Sequence, residues 1–170
     1  QELQIYDSMH KVFLGIGGNI GNKPENFSTV LRFISEELGE IILRSPVYET
    51  PPWGFHCDEN FWNQVLMVET SLSPEEMLEK IDQIEGWFGR ERKPGEYSSR
   101  EMDIDILYYD DAVEKTETLV IPHPLIPQRK FVLVPLADIA PGFVHPLLKA
   151  TSLQLLEKCP DSSMITKVEK

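Results

Sequence analysis

Hydrophobic positions recur along the chain with two different periods, which predicts an alternation of strands and helices. An apolar run at 11–16 (KVFLGI) and alternating side chains at 61–70 (FWNQVLMVET) predict two strands. Residues 102–109 (MDIDILYY) alternate strictly at first and then become apolar, which predicts another strand. A further strand, interrupted by Pro46, is expected at 40–49.

Two segments between these strands have helical spacing and clear start signals. Pro24 suits a first helical turn, and apolar residues then recur at helical spacing until Gly39, a natural stop. Residues 73–76 (SPEE) form a capping box with proline at the first helical position. The helical pattern that follows this box extends to Phe88.

The predicted order is strand, helix, strand, strand, helix, strand. This is the pattern of an α+β fold of ferredoxin-like βαββαβ type, with an antiparallel sheet, both helices on one face and the other face open for a ligand. The proline-rich residues 119–135, followed by short helices at 133–139 and 152–158, predict a small C-terminal extension. We expect residues 1–170 to form a single domain, with 1–9 as a flexible lead-in.

Composition narrows the function classes. The 170 residues carry a net charge of −12, which repels nucleic-acid backbone and anionic membrane, so we expect neither as a partner. No apolar run or basic leader predicts a membrane span or a signal peptide. The two cysteines have no metal or redox spacing and are expected to be free thiols. We therefore expect a cytoplasmic monomer or weak dimer that acts on small molecules.

The glycine-rich stretch at 15–27 (GIGGNIGNKPENF) resembles a phosphate-binding turn only superficially. A dinucleotide fingerprint requires glycine where Ile20 stands, and the Lys-Ser/Thr pair of a P-loop is missing. We predict instead a structural turn from the first strand into the first helix. Its glycines would permit positive φ or close backbone packing.

Acidic residues alternate along the strand at 102–109. Glu101, Asp103 and Asp105 share one face, with successive carboxylates about 6–7 Å apart, and the other face is apolar. Carboxylates this close repel each other, and Mg²⁺ relieves such repulsion with oxygen ligands. The sequence therefore predicts a magnesium site, although a solvent-facing acidic strand has the same pattern.

Arginines are concentrated immediately before the acidic strand. Arg90, Arg92 and Arg100 lie in the charged, glycine-bearing segment 89–100. Arginine makes bidentate contacts with phosphate oxygens, so a mobile loop carrying it beside a metal pair predicts a polyphosphate site closed by a lid. The alternative is a charged surface hairpin whose arginines pair with nearby acids.

Residues further along the chain suit a phosphate and a flat ring. His123 stands between two prolines, which fix its direction, and together with Arg129 it could contact a phosphate. Phe61 shares a strand face with Asn63, so Phe61 and Phe131 could sandwich a heterocycle while the amide binds its edge. Alternatively, His123 has a structural role, and Phe61 and Phe131 belong to the hydrophobic core.

Taken in order, five blocks of the sequence resemble the 6-hydroxymethyl-7,8-dihydropterin pyrophosphokinase family over about residues 12–146. The blocks are LGIGGNIGNKPENF, SPVYETPPWG, FWNQVLMVET, GRERKPGEYSSREMDIDIL and IPHPLIPQRKFVLVPLADIAP. The resemblance implies a ferredoxin-like enzyme of folate synthesis that transfers pyrophosphate from ATP to the pterin hydroxymethyl group and releases AMP. It also implies two Mg²⁺ ions.

The same resemblance assigns roles to individual positions. Catalysis and metal binding would involve Arg90, Arg100 and the metal ligands Asp103 and Asp105. Contacts with ATP would come from Glu85, Arg90, Arg92, Arg100, Ile106, Val120, His123 and Arg129. The pterin pocket would be formed by Thr50, Pro51, Pro52, Trp53, Phe61, Asn63 and Phe131.

Two other classes of function fit the same residues. One is a different magnesium-dependent nucleotidyl- or phosphotransferase on this fold. The other is a ligand-binding module without catalysis, whose ligand affinity would survive loss of both Asp103 and Asp105.

Overall fold

The computed structural model describes residues 9–51, 60–89 and 102–168 and has a mixed α+β fold with a mainly antiparallel sheet. The strands are β1 (His10–Gly18), β2 (Glu40–Arg44), β3 (Tyr48–Thr50), β4 (Phe61–Thr70), β5 (Asp103–Tyr109), β6 (Glu114–Lys115), β7 (Val120–Ile121) and β8 (Thr166–Lys167). The helices are α1 (Lys23–Glu37), α2 (Pro74–Trp87), α3 (Lys130–Ile139) and α4 (Ser152–Lys158). Within the described residues, no helix is both long and apolar enough to span a membrane.

Strand β1 lies inside the main sheet and pairs antiparallel with β4 on one side and β5 on the other. The far edge of β4 pairs with β2 near its end and with β3 near its beginning, and β8 extends the sheet beyond β3. The predicted strand at 40–49 is therefore two short strands separated by residues 45–47, because Pro46 interrupts the pairing. The separate hairpin β6–β7 was not predicted.

The prediction of a glycine turn after the first strand is wrong for most of its length. Strand β1 continues through Gly15, Gly17 and Gly18, all of which are paired with β4. Positive φ occurs at Gly21, at 80°, immediately before α1. The turn is therefore confined to the residues after Gly18, and the earlier glycines serve the strand.

Both predicted long helices are present with their predicted start signals. The Asn22 side chain accepts a hydrogen bond from the Glu25 N–H at 3.1 Å and caps α1. In α2, Ser73 and Glu76 exchange the two bonds of a capping box. These local signals are independent of tertiary packing, which explains why the sequence was sufficient to find them.

The two faces of the sheet are covered by different helices. Helices α1 and α2 bury one face in an apolar core with Leu14, Leu66 and Ile106. Helices α3 and α4 pack on the other face, against Phe13 and Tyr108. The two predicted helices do share one face, but the prediction that the other face stays open is wrong in part, because the C-terminal extension has its own apolar surface to bury there. Only part of the second face remains open to a ligand.

A β-bulge changes the phase of β5. The pairing with β1 shifts between Phe13 and Leu14, so that Leu107 is the extra residue opposite them. Leu107 and Tyr108 consequently both pack in the core on the α3 side of the sheet. This is the physical reason why the alternation of residues 102–106 gives way to a continuous apolar run.

Helix α3 begins at Lys130, three residues before the predicted start, and continues through Pro135. Four prolines in residues 119–135 do prevent one continuous element, since β7 and a 3₁₀ turn at Ile126–Gln128 precede the helix. The earlier start of α3 matters because its first residues lie beside the cavity described below.

Two glycines outside the cavity provide a matched test of the packing between α1 and the sheet. A Cβ added at Gly39 would lie 2.1 Å from the Glu69 carbonyl oxygen, whereas one added at Gly86 in α2 meets nothing within 4 Å. Gly39→Ala should lower the free energy of unfolding by about 1–3 kcal/mol. Gly86→Ala should raise it by about 0.5–1 kcal/mol, because alanine favours the helix. Urea unfolding measures both, and a Gly39→Ala midpoint at or above that of wild type would contradict the packing described.

Candidate active site

A cavity of about 280 Å³ opens on the face of the sheet that α3 and α4 only partly cover. Its floor is formed by β1, β4 and β5, and its walls come from the end of β3, the start of α3 and the residues before α3. The cavity therefore lies where secondary-structure elements from distant parts of the sequence converge.

The strand register arranges the floor in rows. Gly17 is paired with Asp103 on one side and Asn63 on the other. One step along, Gly15 is paired with Asp105 and Val65. Neighbouring strands are about 4.8 Å apart, so the acidic side and the amide side of the floor are about 10 Å apart. Glycine in the middle strand leaves the space between them open.

On the acidic side of the cavity, burial and a neighbouring carboxylate disfavour the charged form of Asp105. Burial raises the pKa of Asp105 above its ordinary value, and the negative charge of Asp103 raises it further. The positive charge of Arg129 acts in the opposite direction, and the carboxylate of Glu85 adds to the rise. Two carboxylates in this environment favour a bound cation, because a cation relieves both the burial and the repulsion.

The donor chemistry fits Mg²⁺ held jointly with a substrate. Across residues 9–51, 60–89 and 102–168, no group of three or more His, Cys, Asp or Glu side chains could hold a metal ion by itself. Asp103 and Asp105 supply a pair of hard oxygen ligands on one strand face. Mg²⁺ is commonly bound by one or two carboxylates together with substrate phosphates and water.

Glu85 lies behind β5 and does not line the cavity. It is 3% exposed on α2, and its Oε2 accepts a hydrogen bond at 2.8 Å from the backbone N–H of Ile104, the residue between the two aspartates. Strand β5 is at the edge of the sheet, so this bond satisfies an outward-facing backbone donor. Glu85 thus fixes the backbone of the acidic strand from its outer edge.

His123 has one tautomer defined by its backbone contact. Its Nδ1 accepts a hydrogen bond from the Leu125 N–H at 3.1 Å, so the proton of the neutral ring is on Nε2. Burial lowers the pKa of His123 to about 4, and the charge of Arg129 lowers it as well, while Asp103 acts against them. Near neutral pH the ring is therefore an uncharged N–H donor at the wall of the cavity.

Arg129 and Phe131 flank the first residue of α3. The guanidinium carbon of Arg129 lies 5.5 Å from the centre of the Phe131 ring. Contact of this kind restrains both side chains and orients the planar guanidinium. A cation and an aromatic face thereby share one wall of the cavity.

The opposite side of the cavity is less charged. Asn63 is 9% exposed, and its Nδ2 donates a hydrogen bond to Thr50 Oγ1 at 3.3 Å. Phe61 and Pro51 complete this side. An oriented amide beside an aromatic ring can bind the polar edge of a flat heterocycle while the ring contacts its face.

The cavity brings together most of the predicted site residues that the structure describes. Those that line it are Thr50, Pro51, Phe61, Asn63, Asp103, Asp105, His123, Arg129 and Phe131. Three others lie elsewhere: Glu85 behind the acidic strand, Ile106 in the core on the α1–α2 side, and Val120, 36% exposed, on β7. Pro52, Trp53, Arg90, Arg92 and Arg100 lie outside the described residues.

Sequence reasoning misplaced or missed three kinds of residue in this cavity. Gly15 and Gly17 were expected in a turn packed near the site, whereas they form its floor from within a strand. Their spacing of two was the available signal, since it removes side chains from one face. Leu107 follows the alternation of Asp103 and Asp105 onto the cavity face, but an apolar residue at that position gave no signal of a ligand contact. Ser163 comes from a segment with no motif, so nothing in the sequence indicated it.

Comparison with known proteins gives a family match and named relatives. The model of the family "7,8-dihydro-6-hydroxymethylpterin-pyrophosphokinase" matches residues 13–141. A curated Aquifex aeolicus protein, named 2-amino-4-hydroxy-6-hydroxymethyldihydropteridine pyrophosphokinase, is 42% identical over 143 residues, which cover 83% of this chain and 87% of that protein. The Dictyostelium discoideum folic acid synthesis protein FOL1 is 37% identical over 154 residues. These residues cover 91% of this chain and 23% of FOL1.

Solved structures of similar fold include a wild-type Plasmodium falciparum HPPK-DHPS, with a TM-score of 0.70 and 19% sequence identity. That match covers 88% of this chain and 43% of the longer one, and at this identity it shows the fold alone. The family match and the 42% identical relative carry the assignment: this chain belongs to the 7,8-dihydro-6-hydroxymethylpterin-pyrophosphokinase family.

Proposed function

We propose that the chain transfers pyrophosphate from ATP to 6-hydroxymethyl-7,8-dihydropterin in folate synthesis and that the described cavity is where it does so. Membership of the family makes the chain an ATP-dependent pyrophosphokinase. One observation carries the assignment of the site: Gly17 is paired with Asp103 on one side and with Asn63 on the other. A carboxylate and an amide therefore lie on opposite sides of a glycine floor.

The acidic side would hold two Mg²⁺ ions through Asp103 and Asp105. Bound there, the ions would neutralise charge on the ATP phosphates and on the attacking hydroxyl. Support comes from the raised pKa of Asp105, which burial and the neighbouring carboxylate both produce. The two side chains stay fixed on β5, whose backbone is bonded to β1 on one side and to Glu85 on the other.

The phosphate chain of ATP would lie against the wall that carries Arg129 and His123. Arg129 offers a planar fork of donors, and the His123 Nε2–H offers a neutral one. Arg90, Arg92 and Arg100, which precede the acidic strand in sequence, would add positive charge around the transferred group. Contacts of Glu85, Ile106 and Val120 with the nucleoside of ATP remain a prediction.

The pterin would lie over Gly15 and Gly17, with its polar edge at Asn63. Phe61 and Phe131 belong to opposite walls and would contact its two faces. Thr50 and Pro51 would complete the pocket, together with Pro52 and Trp53 from the neighbouring sequence. The hydroxymethyl group would then point towards the aspartates.

The reaction proposed is an in-line displacement at the β-phosphorus of ATP. The substrate oxygen forms a bond to the β-phosphorus, the bridging oxygen's bond to that atom breaks, and AMP leaves with the bonding electrons. The hydroxyl proton passes to solvent or phosphate oxygen. Positioning and charge stabilisation supply most of the rate in such transfers, so no strong general base is required.

Two further features support proposals on the fold type and on the partners of the protein. The strand order β5–β1–β4, followed by β2 and β3 at the far edge, and the packing of α1 and α2 on one face support a ferredoxin-like arrangement. The net charge of −12 supports a protein without nucleic-acid or membrane partners. We further propose that the protein is cytoplasmic and is a monomer or weak dimer.

The products of the reaction test the proposed function directly. Incubation with ATP, Mg²⁺ and 6-hydroxymethyl-7,8-dihydropterin should yield AMP and a pyrophosphorylated pterin in equal amounts, measured by chromatography. Omission of Mg²⁺ or of the pterin should abolish AMP formation. ADP as the nucleotide product would indicate a different phosphotransferase, and free pyrophosphate with AMP would indicate a nucleotidyltransferase or hydrolase.

Removing either negative charge should separate catalysis from simple ligand binding. Asp103→Asn and Asp105→Asn should each lower kcat by about 10²–10³-fold, because charge stabilisation in the transition state is lost. Asp110→Asn is the matched control: this residue ends the same region of chain, bonds to His10 and the Lys11 N–H, and has a φ of 50° that asparagine tolerates. Steady-state kinetics provide the comparison. Equal kcat values for all three variants would exclude a catalytic role for the acidic pair.

The glycine floor yields a second matched pair. A Cβ at Gly17 would lie 2.8 Å from Asn63 Oδ1 and 3.2 Å from the Trp62 carbonyl oxygen. A Cβ at Gly15 would have its nearest contact with the Leu107 side chain, at an ordinary distance of 3.6 Å. Gly17→Ala should raise the KM for the pterin about tenfold or more by displacing the amide, with the KM for ATP less affected. Gly15→Ala should have the smaller effect. Pterin KM values that rank in the reverse order would contradict the proposed pterin position.

A further inference from the structure

Residues 160–168, here called the clasp segment, connect the two walls of the cavity. The segment follows α4, passes the beginning of α3 and lines the cavity at Ser163. It then forms β8, which pairs with Tyr48 and Glu49 of β3. The clasp segment lies beyond residues 13–141, the region that the family model matches.

Asp161 is the centre of the hydrogen bonds in the clasp segment. Its Oδ2 accepts a hydrogen bond from the backbone N–H of Lys130 at 3.0 Å. Its Oδ1 accepts bonds from the N–H and the Oγ–H of Ser163, at 2.8 and 2.5 Å. Burial by itself would raise the pKa of Asp161, but the bonds from Ser163 and Lys130 hold it below its ordinary value. The carboxylate is therefore ionised at neutral pH, and both of its oxygens accept hydrogen bonds.

The bond to Lys130 supplies a cap that α3 does not provide for itself. The N-cap residue of α3 is Arg129, and its side chain makes no capping hydrogen bond. A carboxylate that accepts from a first-turn N–H stabilises a helix start through both the bond and the helix dipole. Asp161 does this from 31 positions further along the chain.

The capped residue stands between two side chains of the cavity. Arg129 precedes Lys130 and Phe131 follows it, and both line the cavity. The bond to Asp161 therefore holds the backbone at the point from which both side chains leave. The Lys130 Nζ also reaches the Ser163 carbonyl oxygen at 3.5 Å, a weaker second tie between the same elements.

The other end of the clasp segment holds the opposite wall. The Val168 N–H donates to the Val47 carbonyl oxygen at 2.8 Å, and β8 pairs with β3 as far as Glu49. The next residue is Thr50, whose Oγ1 accepts the hydrogen bond from Asn63. One short segment thus joins the start of α3 to the end of β3.

We propose that Asp161 is a positioning residue for the reaction: by capping α3 from the clasp segment, it sets the directions of Arg129 towards the nucleotide phosphates and of Phe131 towards the pterin. This role rests on the proposed function, because it is defined by the two substrates. Asp161 itself touches neither substrate and acts through the backbone of Lys130.

Steady-state kinetics of the full chain test this role. Asp161→Ala should raise the KM for ATP and for 6-hydroxymethyl-7,8-dihydropterin by about five- to tenfold, the size of a lost helix cap. Asp161→Asn retains one acceptor oxygen and should recover most of the loss. A purely structural role predicts a different result: Asp161→Ala would lower the active fraction and Vmax while both KM values stay at the wild-type level.

The partner of the bond provides a second, independent variant. Lys130→Pro removes the N–H that donates the hydrogen bond to Asp161. Proline is tolerated at this first helical position, because the preceding residue, Arg129, has an extended backbone with φ −120° and ψ 104°. Lys130→Ala is its control, since it removes the side chain and keeps the N–H. Lys130→Pro should reproduce the rise in both KM values, and the double variant with Asp161→Ala should add nothing further.

The outcomes separate the two proposals. If the wild-type chain forms AMP and both Asp161→Ala and Lys130→Pro keep wild-type KM values, the positioning role is wrong and the proposed function stands. If Asp161→Ala does not fold, Lys130→Pro alone decides, and a KM no higher than that of Lys130→Ala overturns the role. A wild-type chain that forms no AMP overturns the proposed function and this inference with it.

Discussion

The pairing of β1 along both of its edges is the constraint on which the site depends. Because β1 is held between β4 and β5, it cannot slip relative to either without breaking hydrogen bonds on both sides. This fixed register brings Asp103 and Asn63 to the two sides of Gly17. A shift of one residue would turn the aspartates into the apolar core beneath α1 and α2, where a charge costs far more. The chemistry of the cavity and the stability of the sheet therefore require the same alignment.

The chain combines a strongly negative overall charge with a site for negatively charged substrates. Its net charge of −12 would repel a nucleoside triphosphate at long range, although salt screens that repulsion beyond about 8 Å. Close to the cavity, local groups dominate: burial raises the pKa of Asp105 and lowers that of His123, and the positive charge of Arg129 opposes the first shift and adds to the second, so its charge is felt across the site. A magnesium-bound triphosphate is less negative than the free one, which further reconciles the two.

Local signals identified much of the fold, and long-range packing decided the rest. The cap at Asn22 and the box at Ser73 involve neighbours in sequence, so pattern reasoning located both helices. The alternation through Asp103 and Asp105 likewise placed two carboxylates on one face. By contrast, the stretch around Gly17 was taken for a turn, because its backbone is held extended by pairing with strand residues 44 or more positions away. Ser163 was beyond reach for the same reason, since its place depends on contacts with α3 and β3.

The bulge at Leu107 has a consequence for how this sheet can vary. It divides β5 into two parts whose side chains follow alternation independently, the first with the aspartates and the second with Tyr108 beneath α3. A change of residue size at Tyr108 alters the surface on which α3 rests, while the acidic part keeps its alignment with Gly17. The bulge therefore separates the packing of the C-terminal helices on this sheet from the alignment of the strand segment that carries the carboxylates.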